Sequence, residues 1–139
     1  MRVNTDGRKR VLFVCIGNIC RSPMAAALAN KYGSDVLVAS SAGLSPGVNN
    51  SPLTRSTLEE RNVDLGDHMP RALKDVALEN VDLVVNMSGR TLPNNGRPPV
   101  ETWDIRDPIG APAPVYREVC SQLEMQVMRL IVRIRAGKI

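Results

Sequence analysis

The run from Val11 to Met24, VLFVCIGNICRSPM, leaves this chain little choice of architecture. Val11 to Val14 are apolar and rich in β-branched residues, with the length of a buried parallel strand. Cys15 closes that run, and Met24-Ala25-Ala26-Ala27-Leu28 is strong helix-forming material. Pro23 suits the first turn of the helix, where its missing N–H would have no intrahelical partner. The residues between therefore form a loop from a strand end to a helix start. Such a loop turns backbone N–H groups inward, and the helix adds a partial positive charge, so together they seat a tetrahedral oxyanion. Cys15 lies at the base of the seat, with Arg21 and Ser22 on its helical side. Backbone donors, a helix N-terminus and a guanidinium all favour a thiolate, which makes Cys15 the expected nucleophile. A merely buried cysteine would leave Arg21 as a charge beside the core with no partner.

A cysteine, five residues and then Arg-Ser, set between strand and helix, is the pattern of the cysteine-dependent phosphatases. The fuller run Cys15-Ile16-Gly17-Asn18-Ile19-Cys20-Arg21-Ser22-Pro23 resembles the low-molecular-weight protein tyrosine phosphatase family. At the same loop it is similar to the thioredoxin-coupled arsenate reductases, which share that fold. The resemblance implies one α/β domain over residues 1–139, a three-layer α/β/α arrangement with a four-stranded parallel sheet in the order 2-1-3-4. It implies hydrolysis of phosphomonoesters, protein phosphotyrosine among them, through a phosphocysteine on Cys15, with no cofactor. Arg21 would hold the oxyanion, and Ile16, Gly17, Asn18, Ile19, Cys20 and Ser22 would line its seat. Ser22 can also donate a hydrogen bond to the Cys15 thiolate and help sulfur leave.

Composition bounds the remaining possibilities. The 139 residues suffice for one domain with a single core. The net charge of +4 comes from 18 Lys and Arg against 14 Asp and Glu, a mild excess suited to steering anionic substrates. One Trp, one Phe and two Tyr offer little for stacking on bases, so nucleic acid is not an expected partner. Cys15, Cys20, Cys120 and His68 do not have the spacing of a zinc site, and no metal is expected. A nucleophile that must stay a thiol belongs in a reducing cytoplasm. No signal segment and no apolar run of membrane-spanning length are present, so no membrane partner is expected. The expected partner is a phosphate-bearing protein or small molecule, and the sequence sets no oligomeric state.

Along the chain, residues 1–7 are polar and patternless and read as a loose tail. A helix is predicted from about Pro23 to Lys31, ending at Tyr32-Gly33, then a strand over residues 36–40 that Ser41-Ala42-Gly43 leaves. Together these form a right-handed βαβ unit. Ser51-Pro52 opens a helix reaching Arg61. A short helix over residues 73–78 precedes a third strand at 81–87, and residues 88–99 read as a surface excursion. A short edge strand follows at 100–103. The last helix carries Val115, Val119, Leu123, Val127, Leu130, Ile131 and Ile134 at spacings of three and four, one apolar stripe for the sheet. Cys120 beside that stripe reads as a small buried residue.

Ligands of such sheets bind beyond the carboxyl ends of the strands. A leaving oxygen needs a proton there, and a carboxylic acid on a loop can supply it and then activate water. The family carries this acid in a late Asp-Pro pair, which Asp107-Pro108 matches; Asp104 is the local rival, without a following proline. By the same resemblance Ser41 and His68 hold the loop asparagine in place, and Cys20 pairs with Cys15 on oxidation. The chain also departs from the family. No aromatic ring stands in Ile109-Gly110-Ala111-Pro112 or Leu44-Ser45-Pro46-Gly47, where phosphotyrosine enzymes wall their mouth, and Ser88 replaces an acidic residue. Glu101-Thr102-Trp103-Asp104 looks more like the arsenate reductases, but residues 88–99 lack the cysteines of their electron relay. Two other readings stand beside the phosphatase: an arsenate reductase on the same loop, and an anion-binding module without turnover. Retention of Cys15, Arg21 and Asp107 together argues against the last.

Overall fold

The computed structural model describes residues 6–93 and 97–139. Its strands β1 (Lys9–Cys15), β2 (Leu37–Gly43), β3 (Leu83–Asn86) and β4 (Val100–Thr102) form one parallel sheet in the order β2-β1-β3-β4. Helices α1 (Arg21–Gly33), α2 (Pro52–Glu59) and α3 (Ala113–Arg135) complete the α/β domain. Sheet order and fold class are as the resemblance implied.

β1 is central because its residues are apolar on both faces. Val11 and Phe13 belong to a large cluster with Met24 and Leu28 of α1, Leu58 of α2, and Leu123, Val127 and Leu130 of α3. Leu12 and Val14 face a smaller cluster with Ala42, Val81 and Val84. This is the period-two alternation of a strand covered on both sides. Burying each leucine-sized side chain stabilises the fold by about 1.5–3 kcal/mol. The expected stripe of α3 is buried from Val119 to Ile134, with Val115 half-buried at its start and Cys120 wholly inside the core beside it, and burial pushes that thiol's pKa up.

Local differences from the sequence reading have local causes. The first helix begins at Arg21 rather than Pro23, because Met24 N–H already closes on the Cys20 carbonyl at 3.1 Å. β2 runs through Gly43, which pairs with Cys15 and bridges to Ala72, so Ser41 and Ala42 lie within the strand. The second helix ends at Glu59, and Glu60 N–H and Arg61 N–H close its last turn. In place of a helix at 73–78 stand two 3-10 turns, Leu73–Asp75 and Leu78–Asn80, separated by extended Val76. Leu73, Val76 and Leu78 pack on the smaller cluster, so these turns cover the sheet's second face. The segment after β3 is not wholly superficial. Ser88 is buried, held by Asn86, whose Oδ1 accepts from Ser88 N–H and Oγ–H at 3.0 and 2.7 Å, and Pro98 is buried as well. Residues 94–96 of that excursion, and residues 1–5 of the expected tail, lie outside the described residues.

Candidate active site

The loop from Cys15 to Cys20 has its carbonyls fastened outward. Cys15, Ile16 and Gly17 accept from the N–H groups of Leu44, Ser45 and Gly47 at 3.1, 2.8 and 3.0 Å. The Asn18 carbonyl accepts from His68 Nε2 at 2.9 Å, and that of Ile19 from Thr54 Oγ1 at 2.9 Å. In a trans peptide the N–H points opposite to the preceding C=O. Five outward carbonyls therefore aim the N–H groups of Ile16, Gly17, Asn18, Ile19 and Cys20 to the other side, where Cys15 Sγ sits. Asn18 N–H reaches that sulfur at 3.3 Å. The other four N–H groups have no acceptor among the described residues, and the N-terminus of α1, without a side-chain cap, adds its own free donors.

Two backbone features allow this shape. Asn18 has φ 55° and is fully buried, a left-handed position that asparagine tolerates better than most residues. Gly43 lies against the back of the loop, where a Cβ would stand 2.6 Å from the Ile16 carbonyl oxygen and 2.9 Å from Asn18 N.

A chain of hydrogen bonds then ends on sulfur. Arg71 N–H donates to Asn18 Oδ1 at 2.9 Å, which turns the amide so that Nδ2 donates to Ser22 Oγ at 2.8 Å. With that lone pair taken, the single Ser22 proton goes to the nearer of its two acceptors, Cys15 Sγ at 2.9 Å rather than the Ala42 carbonyl at 3.4 Å. The expected roles of Ser41 and His68 divide here. His68 does hold Asn18, through the backbone carbonyl, so its Nε2 carries a proton. Ser41 makes no bond to Asn18 among the described residues; its carbonyl accepts Arg71 Nε at 2.9 Å and so steadies Asn18 at one remove. Burial lowers the His68 pKa, the Asn18 carbonyl raises it in part, and Arg71 and Arg55 lower it further.

Arg21 is buried, and its Nη1 donates to the carbonyls of Met87 at 2.5 Å and Ile105 at 3.1 Å. That answers the question of its partner and leaves the Nε–Nη2 edge without a hydrogen bond among the described residues. Nη2 lies 3.4 Å from Asp107 Oδ2, while Asp107 Oδ1 accepts Ile109 N–H at 3.1 Å. Cys15, Arg21 and Asp107 thus meet in one cleft of about 170 Å³, with Ile16, Gly17, Ile19, Cys20 and Ile109 as its other walls. No aromatic ring among the described residues lines it. Cys20 is buried, which pushes its thiol pKa up, and its sulfur lies 3.5 Å from Tyr116 Oη. Tyr116 in turn meets Ser51 Oγ at 2.9 Å, and burial pushes the phenol up to about 12. Arg71, Gly43, Thr54 and Tyr116 escaped the sequence reading: all four act through backbone or distant partners, and no spacing signals them.

The sequence pattern of the family described as low molecular weight phosphotyrosine protein phosphatase matches residues 10–138. The chain belongs to that family. Among relatives, a glutaredoxin arsenate reductase of Synechocystis sp. (strain ATCC 27184 / PCC 6803 / Kazusa) is 29% identical over 133 residues, 91% of this chain and 98% of the other. A probable low molecular weight protein-tyrosine-phosphatase of Ralstonia nicotianae (strain ATCC BAA-1114 / GMI1000) is 30% identical over 141 aligned positions, 92% and 97% of the two chains. A solved structure of an arsenate reductase in the phosphate binding state superposes with a TM-score of 0.83 at 28% identity, covering 91% of this chain and 98% of that one.

Proposed function

We propose that this family member hydrolyses phosphomonoesters through a phosphocysteine on Cys15. The observation that carries the reading is the set of outward carbonyls at residues 15–19, which leaves a ring of N–H donors around the Cys15 sulfur. In this account the substrate phosphoryl group sits in the ring, two of its oxygens held by the Nε–Nη2 edge of Arg21. The Cys15 thiolate forms the S–P bond as the ester P–O bond breaks, and Asp107 gives its proton to the leaving oxygen. Water then attacks phosphorus, Asp107 takes its proton, and the thiolate leaves, steadied by Ser22. The substrate is an anion on a leaving group met by aliphatic walls, Ile16, Ile19 and Ile109, rather than by a ring.

The arsenate reductase reading draws support from the names of relatives. It needs a thiol relay, however, and the chain has only Cys15, Cys20 and Cys120, the last sealed in the core. A panel of para-nitrophenyl phosphate, phosphotyrosine peptides, alkyl phosphates, and arsenate with a thiol reductant tests both. Hydrolysis of the phosphate esters supports the proposal. Arsenate reduction without ester hydrolysis would replace it.

A further inference from the structure

Behind the loop, on the outer edge of β2, lies a second and larger cleft of about 640 Å³. Pro23, Ala26 and Ala27 of α1, with Val63 and Leu65, give it apolar walls; Ser41, His68, Arg71 and Lys31 are among its polar ones, and Asp64 is the one carboxylate in its lining. In β2 the even-numbered residues bond to β1, as Leu44 N–H to the Cys15 carbonyl shows, so residues 39, 41 and 43 present their backbone groups outward. Those outward groups are nearly all taken. Asn30 holds Ala39 at both its N–H and its carbonyl, at 2.8 and 3.0 Å. Arg71 takes the Ser41 carbonyl through Nε and accepts Gly43 N–H at its own carbonyl, both at 2.9 Å. Ser41 N–H, in a buried residue, has no acceptor among the described residues. Neither Nη atom of Arg71 has one either, and His68 Nδ1 is without a partner there.

An added peptide strand does not fit this edge, because Asn30 and Arg71 already occupy the groups it would need on either side of Ser41. What fits is a compact acceptor that takes Ser41 N–H and the Arg71 fork together, with an apolar body for the alanine floor. We propose that this cleft binds a small carboxylate with a short apolar body. Arg71 and His68 are also the residues that hold Asn18, through the Arg71 N–H and the His68 Nε2. A carboxylate gripping Arg71 therefore reaches the candidate active site, and the two sites are linked through Asn18. The consequence for turnover rests on the phosphatase reading; the binding itself does not.

Amide spectra of the full chain, titrated with benzoate and in parallel with its neutral relative benzamide, read the binding without using turnover. Benzoate should shift the amides of Ser41, Arg71 and Leu65, and that of Asn18 with them, while benzamide should not. Ala27→Glu puts a competing carboxylate on the helical wall and should abolish the response. Arg71→Gln should abolish it as well, with the spread of the remaining resonances showing that the chain is folded. Absence of shifts at Ser41 and Arg71, an equal response to benzamide, or shifts confined to Ile16–Cys20 would overturn the proposal, as would a response that survives Ala27→Glu. Movement of Ser41 and Arg71 with Asn18 unmoved would overturn the link between the sites. An enzyme inactive on every phosphate ester would leave the benzoate result standing.

Discussion

Replacing Gly43 with alanine sets a methyl group against the back of the anion seat. The new Cβ would lie 2.6 Å from the Ile16 carbonyl oxygen, 2.9 Å from Asn18 N and 3.0 Å from Asn18 Cβ. Restoring an ordinary contact of about 3.5 Å requires a shift of roughly 1 Å. The strain cannot be absorbed by a side-chain rotation, because two of the three atoms are backbone. Nor can the loop move alone, since residues 15–17 are bonded to 44, 45 and 47. Overpacking of this kind costs about 1–3 kcal/mol of stability. A misplacement of about 1 Å in a reacting geometry costs on the order of 10²-fold in rate. Gly43→Ala should therefore lose about two orders of magnitude in kcat/KM on para-nitrophenyl phosphate while remaining folded by calorimetry. Gly33→Ala is the control, because its Cβ would overpack Ile131 Cγ1 at 2.7 Å and Cδ1 at 2.8 Å in the core between α1 and α3, a strain of similar size that does not touch the loop. It should keep full activity. Unchanged kcat/KM in Gly43→Ala, or equal losses in the two variants, would refute the reasoning.

Asp107→Asn should slow hydrolysis of an alkyl phosphate by about 10²–10⁴-fold and that of para-nitrophenyl phosphate far less, because only the former needs a protonated leaving group; equal, modest losses would mark Asp107 as a turn residue. Mild peroxide should inactivate the enzyme reversibly through a Cys15–Cys20 disulfide, with Cys120 untouched in the core, and peptide mapping that finds Cys15 only as sulfinic acid would contradict this. For His68, burial and the nearby arginines depress the pKa below its ordinary 6.5, so the fold favours the neutral ring. Its contribution to stability is present above that value and is lost as the pH falls through the depressed one. Urea unfolding midpoints should then drop between about pH 7 and pH 5 in the wild type and less in His68→Gln, and parallel pH profiles for the two would be the contrary result.

The shape of the candidate site was legible because it is written locally. A strand that ends in Cys15 and a helix that opens at Arg21 fix the seat, and the apolar stripe of α3 fixes what lies behind it. Asp107 was legible only through the family resemblance, and the fold brings its carboxylate to within 3.4 Å of Arg21. The supports were less visible for physical reasons. Arg71 holds Asn18 with a backbone N–H, a group every residue but proline owns, so its side-chain type carried no signal. Ser41 was given that task by resemblance, yet it contributes only a carbonyl to Arg71. Tyr116 reaches Cys20 across the core from α3, a contact no sequence spacing reveals. The segment 73–80 has leucines and valines placed for the sheet rather than for a helix face, so its turns were misread as helix.

The claim on which the account turns is a covalent phosphocysteine at Cys15. Acid quenching during turnover of para-nitrophenyl phosphate, followed by intact-mass and peptide measurements, tests it directly. The account predicts one phosphoryl group, on the peptide containing Cys15, at higher occupancy in Ser22→Ala, where the departing sulfur loses its hydrogen bond, and none in Cys15→Ser. Steady turnover with no phosphorylated peptide in any variant, with phosphate on another residue, or with activity retained in Cys15→Ser, would contradict it.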